Sequence, residues 1–188
     1  MNKGTIVGII VVVIVAIIVV VWFLSLYNFM VKKDLDVDNA WSQVENQYQR
    51  RADLIPNLVE TVKGFAKQEL TVFTEVTEMR SRWTNAQNQE EQINAAEGLD
   101  NAIGRLLVVV EDYPELKSDE NFLKLQDQLE GTENRIAVER KRYNDVVTAF
   151  NKTIKTWPNK TFARWFGFED RKLFKAEEGV EKVPEVKF

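Results

Sequence analysis

The chain has 188 residues, a formal net charge of −4 and 45% hydrophobic residues, which fits one domain of ordinary size beside any membrane segment. It contains no cysteine and no histidine, so disulfides, thiolate catalysis, Cys-based metal sites and the commonest general base are all excluded. Slight acidity without a long Lys/Arg block also excludes the electrostatic footprint of a nucleic-acid binder.

Residues 1–5 read as a short tail before a transmembrane helix over residues 6–26. From Ile6 to Leu24 the sequence IVGIIVVVIVAIIVVVWFL has no polar, charged or proline residue. As a helix this run spans about 28 Å, close to the hydrocarbon thickness of a bilayer. Trp22, Tyr27, Lys32 and Lys33 stand where interface anchors belong. A cleaved signal peptide would have an apolar core of about 7–15 residues and a small-x-small site. The run has neither, and no cysteine follows it for lipid attachment, so it reads as an uncleaved anchor. Lys3 before it against Lys32 and Lys33 after it leans towards a cytoplasmic soluble domain. Gly4 and Gly8 have the Gly-x-x-x-Gly spacing of helix dimers, which leaves a homo-oligomer open.

Residues 27–158 read as a helical bundle, because apolar residues recur at three and four, as in coiled-coil packing. Val37, Trp41, Val44 and Tyr48 form a first stripe; Leu58, Val62, Phe65, Val76, Met79 and Trp83 form a second, with Phe73 beside it. Between them, Asp53 is an N-cap candidate and Pro56 suits a first helical turn, which favours a chain reversal and four antiparallel helices. The register also carries through Tyr48, Arg51, Ile55 and Leu58, as a kinked continuous helix with three helices in all would require. A third stripe, Ala96, Leu99, Ile103, Leu106 and Val110, follows a capping box at Asn88 and Glu91 and stops at Tyr113-Pro114. Ser118 is the expected cap of a fourth helix with Phe122, Leu125, Leu129, Ile136, Tyr143, Val147, Phe150, Ile154 and Trp157 on its stripe, ended by Pro158. Residues 159–188 form an aromatic segment and a C-terminal tail, in which Phe174, Val183 and Phe188 are candidates to dock in grooves between helices or to serve as a detachable ligand.

Asn39-Ala40-Trp41-Ser42 and the stretch from Arg50-Arg51-Ala52-Asp53-Leu54-Ile55-Pro56-Asn57 to Gly64 resemble the signature of the LemA family of bacterial membrane proteins. Tyr27-Asn28, Tyr113 to Lys117, Leu129 to Ile136, Tyr143-Asn144, Trp157-Pro158, Gly167-Phe168 and Pro184 to Phe188 resemble the family pattern in the same order. Trp157, where the family more often has Phe, and Lys32-Lys33, where an arginine is usual nearby, are small departures. The resemblance implies an all-α protein: a short tail, a single N-terminal transmembrane helix and an antiparallel up-and-down four-helix bundle. It implies much less about activity, since the family has no established enzymatic reaction and its members are often encoded near membrane proteases or other envelope proteins.

Candidate interaction residues are Arg50, Arg51, Asp53, Asn57, Glu133 and Arg135. Arg51 lies on an apolar stripe, where an unpaired charge costs several kcal/mol. A partner is therefore expected, either Asp53 or a carboxylate near the start of the fourth helix. The cluster serves either as a structural ion pair or as a pocket for a partner's acidic group. Glu69, Glu130, Glu133 and Glu139 are the carboxylates that a di-metal bundle would use, but such centres normally use Glu-x-x-His pairs, so register-setting salt bridges account for them better. No catalytic, cofactor-binding or metal-ligating residue is assigned. The Asn-Lys-Thr triplets at Asn151 and Asn159 read as chance matches to the glycosylation sequon.

Trp157, Lys160, Phe162, Arg164, Trp165, Phe166 and Phe168 are the candidate membrane-surface residues. Their rings suit either the headgroup layer or the open end of the bundle, to which each would add about 2 kcal/mol of burial. The leading functional reading is a non-enzymatic, membrane-anchored interaction or scaffold module of the bacterial cell envelope. Its partners are the lipid bilayer and other membrane proteins, with no cofactor and no nucleic acid. The alternatives are a lipid-sensing module acting through residues 157–168 and, more remotely, a hydrolase using Glu130, Glu133 or Glu69.

Overall fold

The computed structural model describes residues 3–174, and among these residues every regular element is helical. The helices are α1 (Lys3–Phe65), α2 (Leu70–Asn85), α3 (Gln89–Val110), α4 (Pro114–Lys117), α5 (Glu120–Lys155) and α6 (Asn159–Phe166). The all-α expectation is met. The chain falls into two compact units, Met1–Ala40 with Tyr143–Leu173 and Trp41–Arg142 with Phe174–Phe188; α1 and α5 contribute residues to both.

The expected reversal at Asp53–Pro56 does not occur, because α1 continues through both residues. Asp53 does not cap a helix; its carboxylate accepts a hydrogen bond from the Gln49 side chain at 2.8 Å, one turn earlier. Pro56 has no N–H to give the carbonyl of Ala52, four residues back. That carbonyl belongs to a residue only 1% exposed, where an unmet acceptor is costly. The Nε of Arg80, in α2, donates to it at 2.8 Å. A side chain from a neighbouring helix thus replaces the missing backbone donor, and the proline is accommodated.

The reversal lies instead at Ala66–Glu69, inside the stripe expected to run unbroken from Leu58 to Trp83. Glu69 occupies the N-cap of α2 without a side-chain capping bond, so no local signal marked this turn. The start of α3 is as expected, since Asn88 Oδ1 accepts from Glu91 N at 2.9 Å. The returning bond goes to Gln87 N at 2.9 Å, one residue before the cap. At α5 the cap is Asp119, not Ser118: its carboxylate accepts from the backbone N–H groups of Asn121 and Phe122. The Ser118 hydroxyl turns back onto the carbonyls of Pro114 and Glu115, closing α4.

In the second unit, Ile55, Leu58, Val62, Phe73, Val76, Leu99, Ile103, Leu106, Phe122 and Leu129 belong to one buried cluster. Arg105 reaches Glu75 at 2.7 Å, and Met79 approaches so close to Gly98 that a Cβ there would lie 2.9 Å from its sulfur. These pairings run α2 and α3 in opposite directions.

In the first unit, Met30, Val37, Tyr143, Val147, Phe150, Ile154 and Ala163 are buried. Arg171 donates from Nε and Nη2 to Asp34 at 3.0 and 2.8 Å and lies 3.2 Å from Asp38. The Asn151 amide brackets the Arg171 backbone, donating to its carbonyl at 2.8 Å and accepting from its N–H at 2.9 Å. Asn151 therefore has a structural task in this unit. α6 ends at Gly167, whose φ of +77° is a left-handed value that glycine adopts without strain. Phe168 N then bonds the Ala163 carbonyl at 3.0 Å, which turns the chain sharply out of the helix.

Candidate functional site

Two constellations contain most of the candidate residues. The first is an ionic centre in the second unit. Three-four spacing puts Arg51 on the core-facing side of α1, with Tyr48 one turn before it and Ile55 one turn after. Asp100 of α3 sits between Ala96 and Ile103, and Glu133 and Arg140 of α5 flank Ile136, so each is a charged residue on an otherwise apolar stripe. Arg51 is 6% exposed. Its Nη1 donates to Asp100 Oδ1 at 2.5 Å and lies 2.6 Å from Glu133 Oε2. The latter is a charge contact outside hydrogen-bond angles, so Glu133 Oε2 has no donor. Asp100 Oδ2 accepts from Arg140 Nη2 at 2.9 Å and from the Tyr48 hydroxyl at 3.2 Å.

Two guanidinium groups and two carboxylates cancel in this centre, as a low-dielectric site requires. Burial pushes the Asp100 carboxyl above the usual carboxylate range, against the opposing pull of Arg51 and Arg140. Burial, and then the charge of Asp100, raise the Tyr48 hydroxyl well above its ordinary value, so it is a neutral donor. The Arg140 guanidinium lies between two rings, 5.4 Å from the centre of Tyr48 and 4.9 Å from that of Phe174. Phe174 stacks in turn on Trp41 at 5.7 Å and is buried. Phe174 thus docks as one of the two expectations for the tail has it; Val183 and Phe188 lie outside the described residues. The centre connects three helices, α1, α3 and α5.

Of the candidate interaction residues, Arg51 and Glu133 meet here. Arg50, Asp53, Asn57 and Arg135 are exposed and take no part. Arg51 pairs with neither Asp53 nor a carboxylate near the start of α5. Asp100 and Arg140 were missed, although their positions on apolar stripes were the signal that singled out Arg51. The other carboxylates are dispersed: Glu69 accepts from Tyr113 at 3.5 Å, Glu130 from Gln126 at 3.1 Å and Glu139 from Arg142 at 2.6 Å. Among the described residues no three potential metal ligands cluster.

The second constellation is aromatic and lies in the first unit. Phe162 meets Trp22 and Phe23 edge-on at 5.7 and 5.5 Å. Phe166 meets Phe23 and Tyr27 at 5.2 and 4.9 Å, and Phe168 lies 6.3 Å from Tyr27 and 6.4 Å from Phe150. One face of α6 thereby clasps α1 where the apolar run ends. Trp157 and Trp165 stay outside the clasp at 86% and 71% exposure, and Lys160 and Arg164 are also exposed. The seven surface candidates therefore divide into three clasping rings and four exposed side chains.

α1 is the one helix among the described residues long and apolar enough to cross a membrane, and none of its apolar window is buried. The family model described as LemA family matches residues 40–188. The chain belongs to the LemA family. It is 28% identical over 177 residues to magnetosome protein MamQ 1 of Paramagnetospirillum magneticum, an alignment covering 80% of this chain and 65% of that protein. Magnetosome protein MamQ of Magnetospirillum gryphiswaldense is 27% identical with the same coverage. Protein LemA of Metamycoplasma hominis is 22% identical over 162 residues, covering 86% of this chain and 74% of that protein. The chain thus spans just under two thirds of the MamQ relatives' length. The LemA-family match begins at Ala40, so it contains both the ionic centre and α6 but not the apolar run.

Proposed function

We propose that this LemA-family chain is a membrane-anchored, non-catalytic interaction module of the bacterial cell envelope, with its helical part on the cytoplasmic side. The observation that carries the reading is the exposed apolar run of α1, which α6 touches only at its Trp22–Phe23 end and of whose apolar window no residue is buried. Such a surface is stable in lipid and costly in water. The ionic centre supports a non-catalytic role, because both of its guanidinium groups are paired with the Asp100 carboxylate. The exposed residues Arg50, Asp53 and Asn57, at spacings of three and four on α1, offer a polar face for a partner protein. Three relatives have names that attach them to a cellular structure, the magnetosome, and not to a reaction.

Two measurements test this reading. Full-length chain should remain with membranes through an alkaline carbonate wash, and deletion of residues 4–24 should release it; an unchanged distribution would remove the anchor. A photo-crosslinker at position 57 should capture a discrete membrane protein in cells, and Arg50→Glu should abolish that capture. Membrane retention without any such adduct from positions 50, 53, 57 or 135 would remove the scaffold role and leave the anchor standing.

A further inference from the structure

We infer that α6 is a lipid-headgroup element: its exposed Lys160, Arg164 and Trp165, with Trp157 two residues before it, engage the anionic surface of the same bilayer that α1 enters. This inference rests on the anchor reading above. Phe162 and Phe166 hold α6 to Trp22, Phe23 and Tyr27, residues at the end of the apolar run. If α1 spans the bilayer, α6 is therefore held at the depth where hydrocarbon gives way to headgroups.

The side chains of α6 suit that depth. On a helical wheel Phe162, Ala163, Trp165 and Phe166 share one arc, and Lys160 and Arg164 lie together on the opposite one. Phe162 and Phe166 occupy the middle of the apolar arc and are used against α1. Trp165 lies on its flank, 5.9 Å from Phe162 and directed outward. Two indoles left 86% and 71% exposed are poor choices for a surface facing only water, whereas an amphipathic ring with one N–H donor suits the acyl–headgroup boundary. Among the described residues neither Lys160 nor Arg164 has an ion-pair partner. Both stay available to lipid phosphates, which Arg can engage through paired donors. Among the described residues the carboxylates that follow α6 are Glu169 and Asp170, and Asp170 is neutralised by Lys155 at 2.7 Å.

The absence of native cysteine allows a clean depth measurement on the full chain. Single variants Val12→Cys, Thr161→Cys and Thr148→Cys are spin-labelled and reconstituted in vesicles of phosphatidylcholine alone or of equimolar phosphatidylcholine and phosphatidylglycerol. Collision with oxygen and with a water-soluble nickel chelate then reports depth. The Val12 label should be oxygen-accessible and shielded from nickel, and the Thr148 label should be nickel-accessible. The Thr161 label should lie about 5 Å inside the phosphate level in the anionic vesicles. It should move outward in phosphatidylcholine alone and in the Lys160→Glu/Arg164→Glu variant. A Thr161 label as nickel-accessible as that at Thr148 in both vesicles, with Val12 buried, would overturn the inference and leave the anchor intact. A water-exposed Val12 label would overturn both. Dipolar broadening at Thr161 that grows with protein density would assign this face to a second copy of the chain, and would also overturn the lipid assignment.

Discussion

The two units of this molecule secure their helices by different physics. In the unit of residues 41–142 with Phe174, a balanced set of charges is set into an apolar stripe; in the unit of residues 3–40 and 143–173, rings clasp rings where α6 meets α1, and the ion pairs of Arg171 with Asp34 and Asp38 are partly exposed. The ionic centre is directional and vulnerable. Asp100 is its shared member, and deleting that carboxylate alone strands the guanidinium groups of Arg51 and Arg140. The aromatic clasp is tolerant, because edge-to-face ring contacts contribute about 0.5–1.5 kcal/mol each beyond area burial and their loss leaves no unmet polar group. A charged centre selects one register among helices, and an apolar clasp can hold a short helix without demanding one geometry.

This contrast can be broken most directly at Asp100. In Asp100→Ala, Arg51 and Arg140 lose their shared carboxylate, and urea unfolding of the full chain in detergent should lose roughly 3–5 kcal/mol. Replacing Arg51, Asp100, Glu133 and Arg140 together by apolar residues of similar volume should recover most of that loss. A single variant as mild as a surface substitution would mean that the centre does not govern this unit. The proline device ranks next. Arg80→Met leaves the Ala52 carbonyl without a donor and should cost about 1–3 kcal/mol. Pro56→Ala restores the backbone N–H, so the pair should show strong positive coupling in a double-mutant cycle; additive effects would rule out the replacement-donor account.

On the aromatic side, Phe166→Ala should cost about 1–2 kcal/mol in thermal unfolding, less than a fully buried ring because Phe166 keeps partial solvent contact. A loss matching Asp100→Ala would erase the distinction between the two units. The finest test is alkaline. Burial holds the Tyr48 hydroxyl above its ordinary value of 10.0, so the folded chain keeps this proton more tightly than the unfolded chain. The stability linked to it is complete below that value and is lost as pH rises through the folded one. Thermal midpoints of the native sequence should therefore fall more steeply above pH 10.0 than those of Tyr48→Phe. Below that pH the variant should be lower by about 1 kcal/mol, the worth of its bond to Asp100. Parallel curves above it would place Tyr48 in contact with water.

Much of this was legible from residues alone where the signal was local. Asn88 and Glu91 announce a helix start within four residues. Arg51 announces a partner because a charge stands on an apolar stripe, but local spacing points to Asp53 or the head of α5, whereas the partner Asp100 stands on the stripe of another helix. The reversal at Ala66–Glu69 carries no proline and no capping side chain, so the more conspicuous Asp53–Pro56 was preferred. The division of the aromatic segment into clasping and exposed rings was not legible, because both kinds of ring have the same composition.

The sequence by itself determined the apolar run, the helical period, the capping box at Asn88 and the LemA-family membership, since each depends on residues within a few positions of one another or on a pattern spread along the chain. Only the tertiary structure decided that Pro56 lies inside a helix, that Arg51 belongs with Asp100 and Arg140, and that Trp165 faces outward while Phe162 and Phe166 do not. Those outcomes depend on which donors, acceptors and rings distant segments bring together. A proline is a break only where nothing else can satisfy the carbonyl it leaves bare, and here Arg80 does so from another helix.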